Sequence, residues 1–144
     1  MDSTLSLRNM LNINSMVFGL FISLLGIFSD TGVYGADWKF LKANAEGEFF
    51  YDAEKVTRSA ANIVGVWLKI VYSEKFKEQE DLTQLSQTIG LWEIDCKDKK
   101  RCLLSTSHIS KGGETSAPQV FLPPEWKSIA PDTIIDSLYK ELCE

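Results

Sequence analysis

Histidine occurs once in the 144 residues, as His108, and that scarcity excludes several kinds of chemistry. A zinc site built on a histidine pair has no ligands, a Cys-X-X-Cys-His haem attachment has no place, and no second histidine stands behind a serine nucleophile. Basic residues are also in deficit, 15 Lys and Arg against 20 Asp and Glu, for a formal net charge of -5. Such a surface releases few counterions on meeting a phosphate backbone, which argues against a nucleic-acid partner. A membrane-spanning run is missing as well: the apolar stretch Met16 to Phe28 has 13 residues, where a hydrocarbon core needs about 20. What is present, 44% hydrophobic and 24% charged residues in a chain of one domain's length, is the composition of an ordinary globular protein with one core.

Residues 1–35 read as a secretory signal peptide. Arg8 and the amino terminus give a weakly positive start diluted by Asp2, Met16 to Phe28 supplies the apolar centre, and Val33-Tyr34-Gly35 places small or modest residues where a signal peptidase reads. Cleavage is expected after Gly35, with Ala36 the second choice, leaving residues 36–144 as a single domain with 14 basic and 18 acidic side chains. The rival assignments, an amino-terminal anchor or a buried core helix, are opposed by Asn12, Asn14 and Ser15, which interrupt any longer apolar stretch. No cysteine precedes Cys96, so the new amino end carries no lipid. The expected location is the periplasm, the cell surface or the extracellular space, with no membrane insertion after cleavage.

Export changes what the three cysteines mean, because thiols outside the cytoplasm tend to be oxidised into structural bridges. A Cys96–Cys143 bridge closes a loop of 47 residues, which in the chain-entropy description is worth about 4 kcal/mol, far more than the small loop of a Cys96–Cys102 bridge. It would also tie the last amphipathic stretch to a strand. Cys102 is then a lone thiol, either packed as a small hydrophobe or available for pairing between chains. Three buried, reduced thiols remain the alternative if the chain is not exported.

The dominant period in residues 36–144 is two, the mark of strands. WKFLKA (Trp38 to Ala43) and EFFYDA (Glu48 to Ala53) flank a short loop ending in Gly47 and predict a first hairpin. NIVGVWLKIVY (Asn62 to Tyr72) carries the strongest strand signal and predicts the central strand, with Val64, Val66, Leu68, Ile70 and Tyr72 on one face. Gly65 within it suggests a bulge or a close approach. The polar stretch Ser73 to Gln87 suits an exposed helical crossover or a loose loop, and a second hairpin is expected between Ile89 and Ile109, turning at Lys97 to Lys100. A short segment, Glu114 to Phe121, precedes the Pro123-Pro124 break. After Pro131, Thr133 and Asp136 have the spacing of a capping box, and Ile135, Leu138, Tyr139 and Leu142 share one helical face. These elements predict an α+β fold: a single antiparallel sheet of about six strands with a disulfide-tethered carboxyl-terminal helix packed on it.

Catalytic candidates are few, and each has a plainer explanation. His108 lies in STSHISK with no acidic residue placed to orient it, which fits a surface strand histidine. The acidic groups Glu78-Glu80-Asp81 and Glu93-Asp95 read as solvated charge, and the turn Asp95 to Arg101 holds four basic residues broken by Asp98. No enzyme, cofactor or metal site is expected. The aromatics are more informative: Phe49 and Phe50 are consecutive and must face opposite sides of a strand, so a helix on one face leaves aromatic residues on the other. Either they fill the periphery of the sheet, or they form a binding or dimer surface with Phe49, Tyr51, Trp67 and Trp92 as anchors.

ADWKFLKANAEGEFFYDAEKVTRSA, IVGVWLKIVYSEK, LWEIDC with Cys96 and APDTIIDSLYKELC with Cys143, in that order and spacing, span nearly all of residues 36–144. In them the chain resembles the surface-adhesin protein E family of small exported bacterial proteins. The resemblance implies an antiparallel sheet, a terminal helix tethered by Cys96–Cys143, and a non-catalytic cell-surface or periplasmic binding protein. The best-known relatives adhere to extracellular-matrix ligands such as vitronectin and laminin. Two features depart from the pattern. The naming adhesin is a lipoprotein whereas this chain has no lipid-bearing cysteine, and Cys102 is surplus to the implied bridge. The expected partner is a protein or extracellular surface ligand, or a second copy in a homodimer; the alternative is an envelope assembly accessory that uses its sheet edge for strand addition.

Overall fold

Alternation of β-branched and aromatic residues with polar ones along Ile63–Tyr72 builds the strand on which the rest of the fold is laid. In the computed structural model, which describes residues 36–144, this strand (β4) buries Val64, Val66, Leu68 and Ile70 and half-buries the residues between them. The chain runs β1 (Trp38–Ala43), β2 (Gly47–Asp52), β3 (Thr57–Arg58), β4, α1 (Glu74–Gln79), β5 (Leu85–Asp95), β6 (Lys100–Ser110), β7 (Gln119–Val120), β8 (Lys127–Ser128) and α2 (Ile134–Cys143). The strands make one antiparallel sheet ordered β1-β2-β4-β5-β6-β7, with β3 pairing beside β4 and β8 beside β6. Six strands on the main path and a carboxyl-terminal helix match the expected α+β architecture. The apolar segment Met16–Phe28 and the cleavage site expected after Gly35 lie outside the described residues.

Three local expectations change. The hairpin β5–β6 is longer than the alternation suggested, because Leu85 to Gln87, assigned to a polar crossover, and Thr88 after them extend β5 once β6 offers them partners. The crossover itself contracts to the single short helix α1, capped by the Ser73 hydroxyl, which accepts from the Phe76 amide at 3.2 Å. Gly65 marks no bulge, since β4 and β5 pair without interruption there; a Cβ at Gly65 would instead stand 2.5 Å from the Thr57 hydroxyl of β3. Gly47 likewise serves close approach, for a Cβ there would lie 2.1 Å from the Val71 carbonyl oxygen, and the turn before it is held by the Asn44 side chain, which accepts from the Glu46 amide at 2.9 Å.

Helix α2 closes one face of the sheet. Ile135, Leu138 and Leu142 recur at helical spacing and pack onto Phe49, Tyr51, Val64, Val66, Leu68, Ile70 and Ile94, with Leu138 fully buried. Cys96 and Cys143 form the disulfide, their Cα atoms 5.5 Å apart. Around it the Arg58 Nη2 donates to the Leu142 carbonyl at 2.8 Å, the Tyr139 hydroxyl donates to the Cys96 carbonyl at 3.2 Å, and the Tyr51 hydroxyl donates to Glu141 at 2.9 Å. Arg58 thereby satisfies one of the carbonyls that a helix end leaves without a partner. Cys102 is a buried free thiol, and burial raises its pKa, so of the two roles open to it the packed hydrophobe is the one adopted.

The amino end of α2 is held electrostatically. The Thr133 hydroxyl accepts from the Asp136 amide at 3.1 Å, as the capping-box spacing required, but the reciprocal bond is replaced: the Asp136 carboxylate accepts from the Asp132 amide at 3.2 Å. Asp136 is buried, with Lys140 Nζ at 2.8 Å and Lys99 Nζ at 3.1 Å. Hydrogen bonding to Lys140 first, and to Lys99 next, holds its carboxyl at about 2.

Two outcomes follow from this helix attachment. Cys143→Ser should lower unfolding stability by about 4 kcal/mol in a guanidinium titration, whereas Cys102→Ala, a modest cavity, should cost about 1 kcal/mol. Because the folded carboxyl of Asp136 sits below its ordinary value of 3.8, its contribution is present above about pH 4 and lost as the pH falls toward 2. Asp136→Asn should therefore be less stable than the parent at pH 7, and its urea midpoint should fall less between pH 4 and pH 2. A parent midpoint that is flat across that interval would contradict the assignment.

Candidate binding surfaces

Strand parity divides the side chains into two unlike sets. Phe49 pairs with Ile70 and Tyr51 with Leu68, all on the face under α2, while Phe50 pairs with Lys69 and Trp67 with Leu91 on the other face. There Phe40 of β1 stands opposite Phe50, the two rings 5.7 Å apart edge to face. The Lys69 ammonium lies 4.3 Å from the Trp38 ring centroid and 5.0 Å from that of Phe50. Burial lowers the Lys69 pKa, and among the described residues no carboxylate lies within ion-pair distance of it. The aromatic faces supply compensation through cation–π contacts of modest strength. Beyond Trp67 the same face continues through Ile89 and Leu91 to Ser105 and Ser107 of β6. Both described helices pack on the opposite side, α2 through the core cluster and α1 through the Phe76 ring stacked on Tyr72 at 5.7 Å.

The four expected anchors therefore separate. Phe49 and Tyr51 are buried beneath α2, 7% and 6% exposed, and are corrected from surface anchors to core residues. Their register with Ile70 and Leu68 decides it, and the neighbouring Phe50 takes the outward position. Trp67 lies on the uncovered face, half-buried. Trp92 is half-buried on the helix-bearing face, opposite Val66 and above Gly90, where a Cβ would come within 3.0 Å of its indole nitrogen. Its ring carries the Arg101 guanidinium at 5.3 Å. Trp38, Phe40, Phe50 and Lys69 were missed as a group. Their alternation was readable within each strand, but the β1–β2–β4 register that gathers them was not.

The candidates for chemistry are dispersed. His108 is an exposed strand residue whose Nδ1 is 2.8 Å from the Thr88 hydroxyl, which also accepts from the Tyr72 hydroxyl at 3.0 Å. Within the basic turn Asp95 accepts from the Lys97 and Asp98 amides, both at 2.9 Å, and Lys99 reaches Asp136. Among the described residues no group of three or more His, Cys, Asp or Glu is placed to hold a metal ion, and no helix is long and apolar enough to cross a membrane.

An antiparallel sheet closed on one face by a disulfide-stapled terminal helix, with aromatic residues left on the other, defines a small disulfide-bonded α+β domain. The chain belongs to the surface-adhesin protein E family, whose sequence profile matches residues 38–144. It is similar in fold to protein E of Haemophilus influenzae. One structure of that protein is 14% identical, with a TM-score of 0.51 over 74% of this chain and 83% of that one. A second crystal form gives 15% identity and a TM-score of 0.52 over 72% and 86%, and protein E from a non-typeable strain gives 16% and 0.51 over 81% of each chain. No curated protein sequence matches. At these identities the structures speak for the fold, while the family profile places the chain among adhesin-like proteins.

The assignment of faces can be checked by truncation. Phe49→Ala should cost about 3–5 kcal/mol of stability, the penalty for emptying a core aromatic site. Phe40→Ser, at a side chain 59% exposed, should change the denaturation midpoint by less than about 1 kcal/mol. Equal losses would show that the two faces had been exchanged.

Proposed function

We propose that this protein is exported and acts without catalysis or a cofactor, binding a protein or other surface ligand from the cell surface or the periplasm. The observation that carries the proposal is the lysine-centred aromatic cluster on the sheet face that α2 leaves uncovered, formed by Trp38, Phe40, Phe50 and Lys69 with Trp67 beside them. Aromatic side chains offer large contact area at small entropic cost, and a desolvated lysine without a carboxylate gains from a partner that brings one. Membership of an adhesin family supports the same reading. A second copy meeting this face would give a homodimer, which is the other occupant the chemistry admits.

Strand addition to another envelope protein has less support. The free edge β1 presents exposed Lys39 and Lys42 and is bulged between Phe40 and Lys42, while the far edge is overlaid by β7 and β8. Lysines and bulges of this kind keep sheet edges from pairing.

Two measurements test the proposal. Intact mass of the protein recovered from cells should correspond to a chain starting near Ala36 with one disulfide and one thiol; a mass beginning at Met1, or three thiols, would refute export. Retention on immobilised vitronectin or laminin should be detectable for the parent and weakened about tenfold by Phe40→Ser combined with Trp67→Ser. Unchanged retention in a folded double variant would remove the cluster from the binding surface.

A further inference from the structure

A second surface lies on the helix-bearing side, where two concavities of about 450 and 430 Å3 meet at Trp92 and Arg101, which line both. One extends past Leu122 and Lys127; the other ends against Thr133 and Ile134 at the start of α2. Sharing both side chains, they form a trough that runs past Trp92 and Arg101 on either side rather than a pit for a single ion. Arg101 is half-buried as a residue, its guanidinium 5.3 Å from the Trp92 ring centroid, with no carboxylate within 4 Å among the described residues. Directly across from it in the β6–β8 pairing stands Lys127, and like charges paired across strands repel. Two carboxylates share the lining: Glu46 in the second concavity, and Glu125, 3.2 Å from Lys127 and 78% exposed on its side chain. In a protein of net charge -5, two cations are thus set against each other at the wall of a trough of mixed polar and apolar lining whose rim carries Leu122, 78% exposed.

We propose that this trough docks an extended segment of a partner protein in which a carboxylate side chain is flanked by large apolar ones. The carboxylate takes the planar fork of Arg101, with Lys127 relieving its own repulsion on the same charge, and the apolar neighbours lie over Trp92 and Leu122. A free anion would leave the apolar part of the lining wet. A bilayer surface is too flat to reach the half-buried Arg101, and an anionic one would be repelled by the acidic chain as a whole. The proposal deepens the assignment as a binding protein and rests on it.

The test uses the exported protein and two short, otherwise uncharged peptides that differ only in a central Leu-Asp-Leu or Leu-Asn-Leu. In a nitrogen-15 NMR titration the Asp peptide should bind about tenfold more tightly than its Asn twin and shift the Trp92 indole and Arg101 side-chain signals while leaving Trp67 unmoved. Arg101→Gln should abolish the difference between the peptides. Equal affinity of the two for the parent protein, binding of neither, or shifts centred on Trp67 and Trp38 would overturn the trough, and the first comparison needs no variant to fold. Sedimentation of the protein with phosphatidylglycerol vesicles, lost in Leu122→Ser, would reassign the rim to lipid and equally refute the proposal. Retention on vitronectin or laminin that survives Arg101→Gln would sink the trough while leaving the binding function intact, whereas a parent protein not retained at all would count against that function.

Discussion

Attachment of α2 to the β5–β6 turn is the constraint on which the rest of this domain depends. A helix of 10 residues is too short to hold itself together in water, so its order must come from what it is fastened to. Beyond its apolar packing and its bonds to Arg58 and Tyr51, several of its fastenings converge on Cys96 and Lys99. Cys96 supplies the sulfur that bonds Cys143 and the carbonyl that accepts from Tyr139, while Lys99 supplies the charge that meets Asp136 and an ammonium 5.0 Å from the Tyr139 ring. Asp95 shapes the turn that presents them. The covalent and electrostatic anchors act at opposite ends of the helix, and between them Leu138 is driven into the centre of the sheet face.

That closure makes the two faces chemically unequal. Under the helix, the sheet is apolar and continuous, and Phe49 and Tyr51 spend their rings on the core. On the other face Lys69 draws Trp38 and Phe50 around itself, a polar group held by aromatic surface rather than by an acid. Where α2 stops short of β6, the Trp92–Arg101 pair is left at the wall of a trough instead of inside the core. What the helix does not cover is one face of the sheet and the margin beyond its own amino end, and the proposed contacts lie there. Adhesin-family membership fits a surface of this kind.

Much of this was legible in the chain itself. Alternation located β1, β2 and β4, the gap between Cys96 and Cys143 favoured the staple on loop entropy, and the spacing of Thr133 and Asp136 marked the start of α2. These signals are local, or depend only on chain length, and so survive without coordinates. The extension of β5 back to Leu85 was not readable, because Leu85-Ser-Gln-Thr has no strand character until β6 lies beside it. The same holds for Lys99, the partner of Asp136 that lies 37 residues earlier in the sequence, whereas Lys140 is one helical turn away.

By itself the sequence determined which residues alternate, where the helix begins and which sulfurs gain most from joining, since each of these is a property of neighbours along the chain or of the length between them. Only the tertiary structure decided that Phe50 rather than Phe49 faces outward beside Lys69, and that Trp92 meets Arg101. Both depend on strand register and on where a helix ends above a sheet, and register is set by pairing across the chain rather than along it.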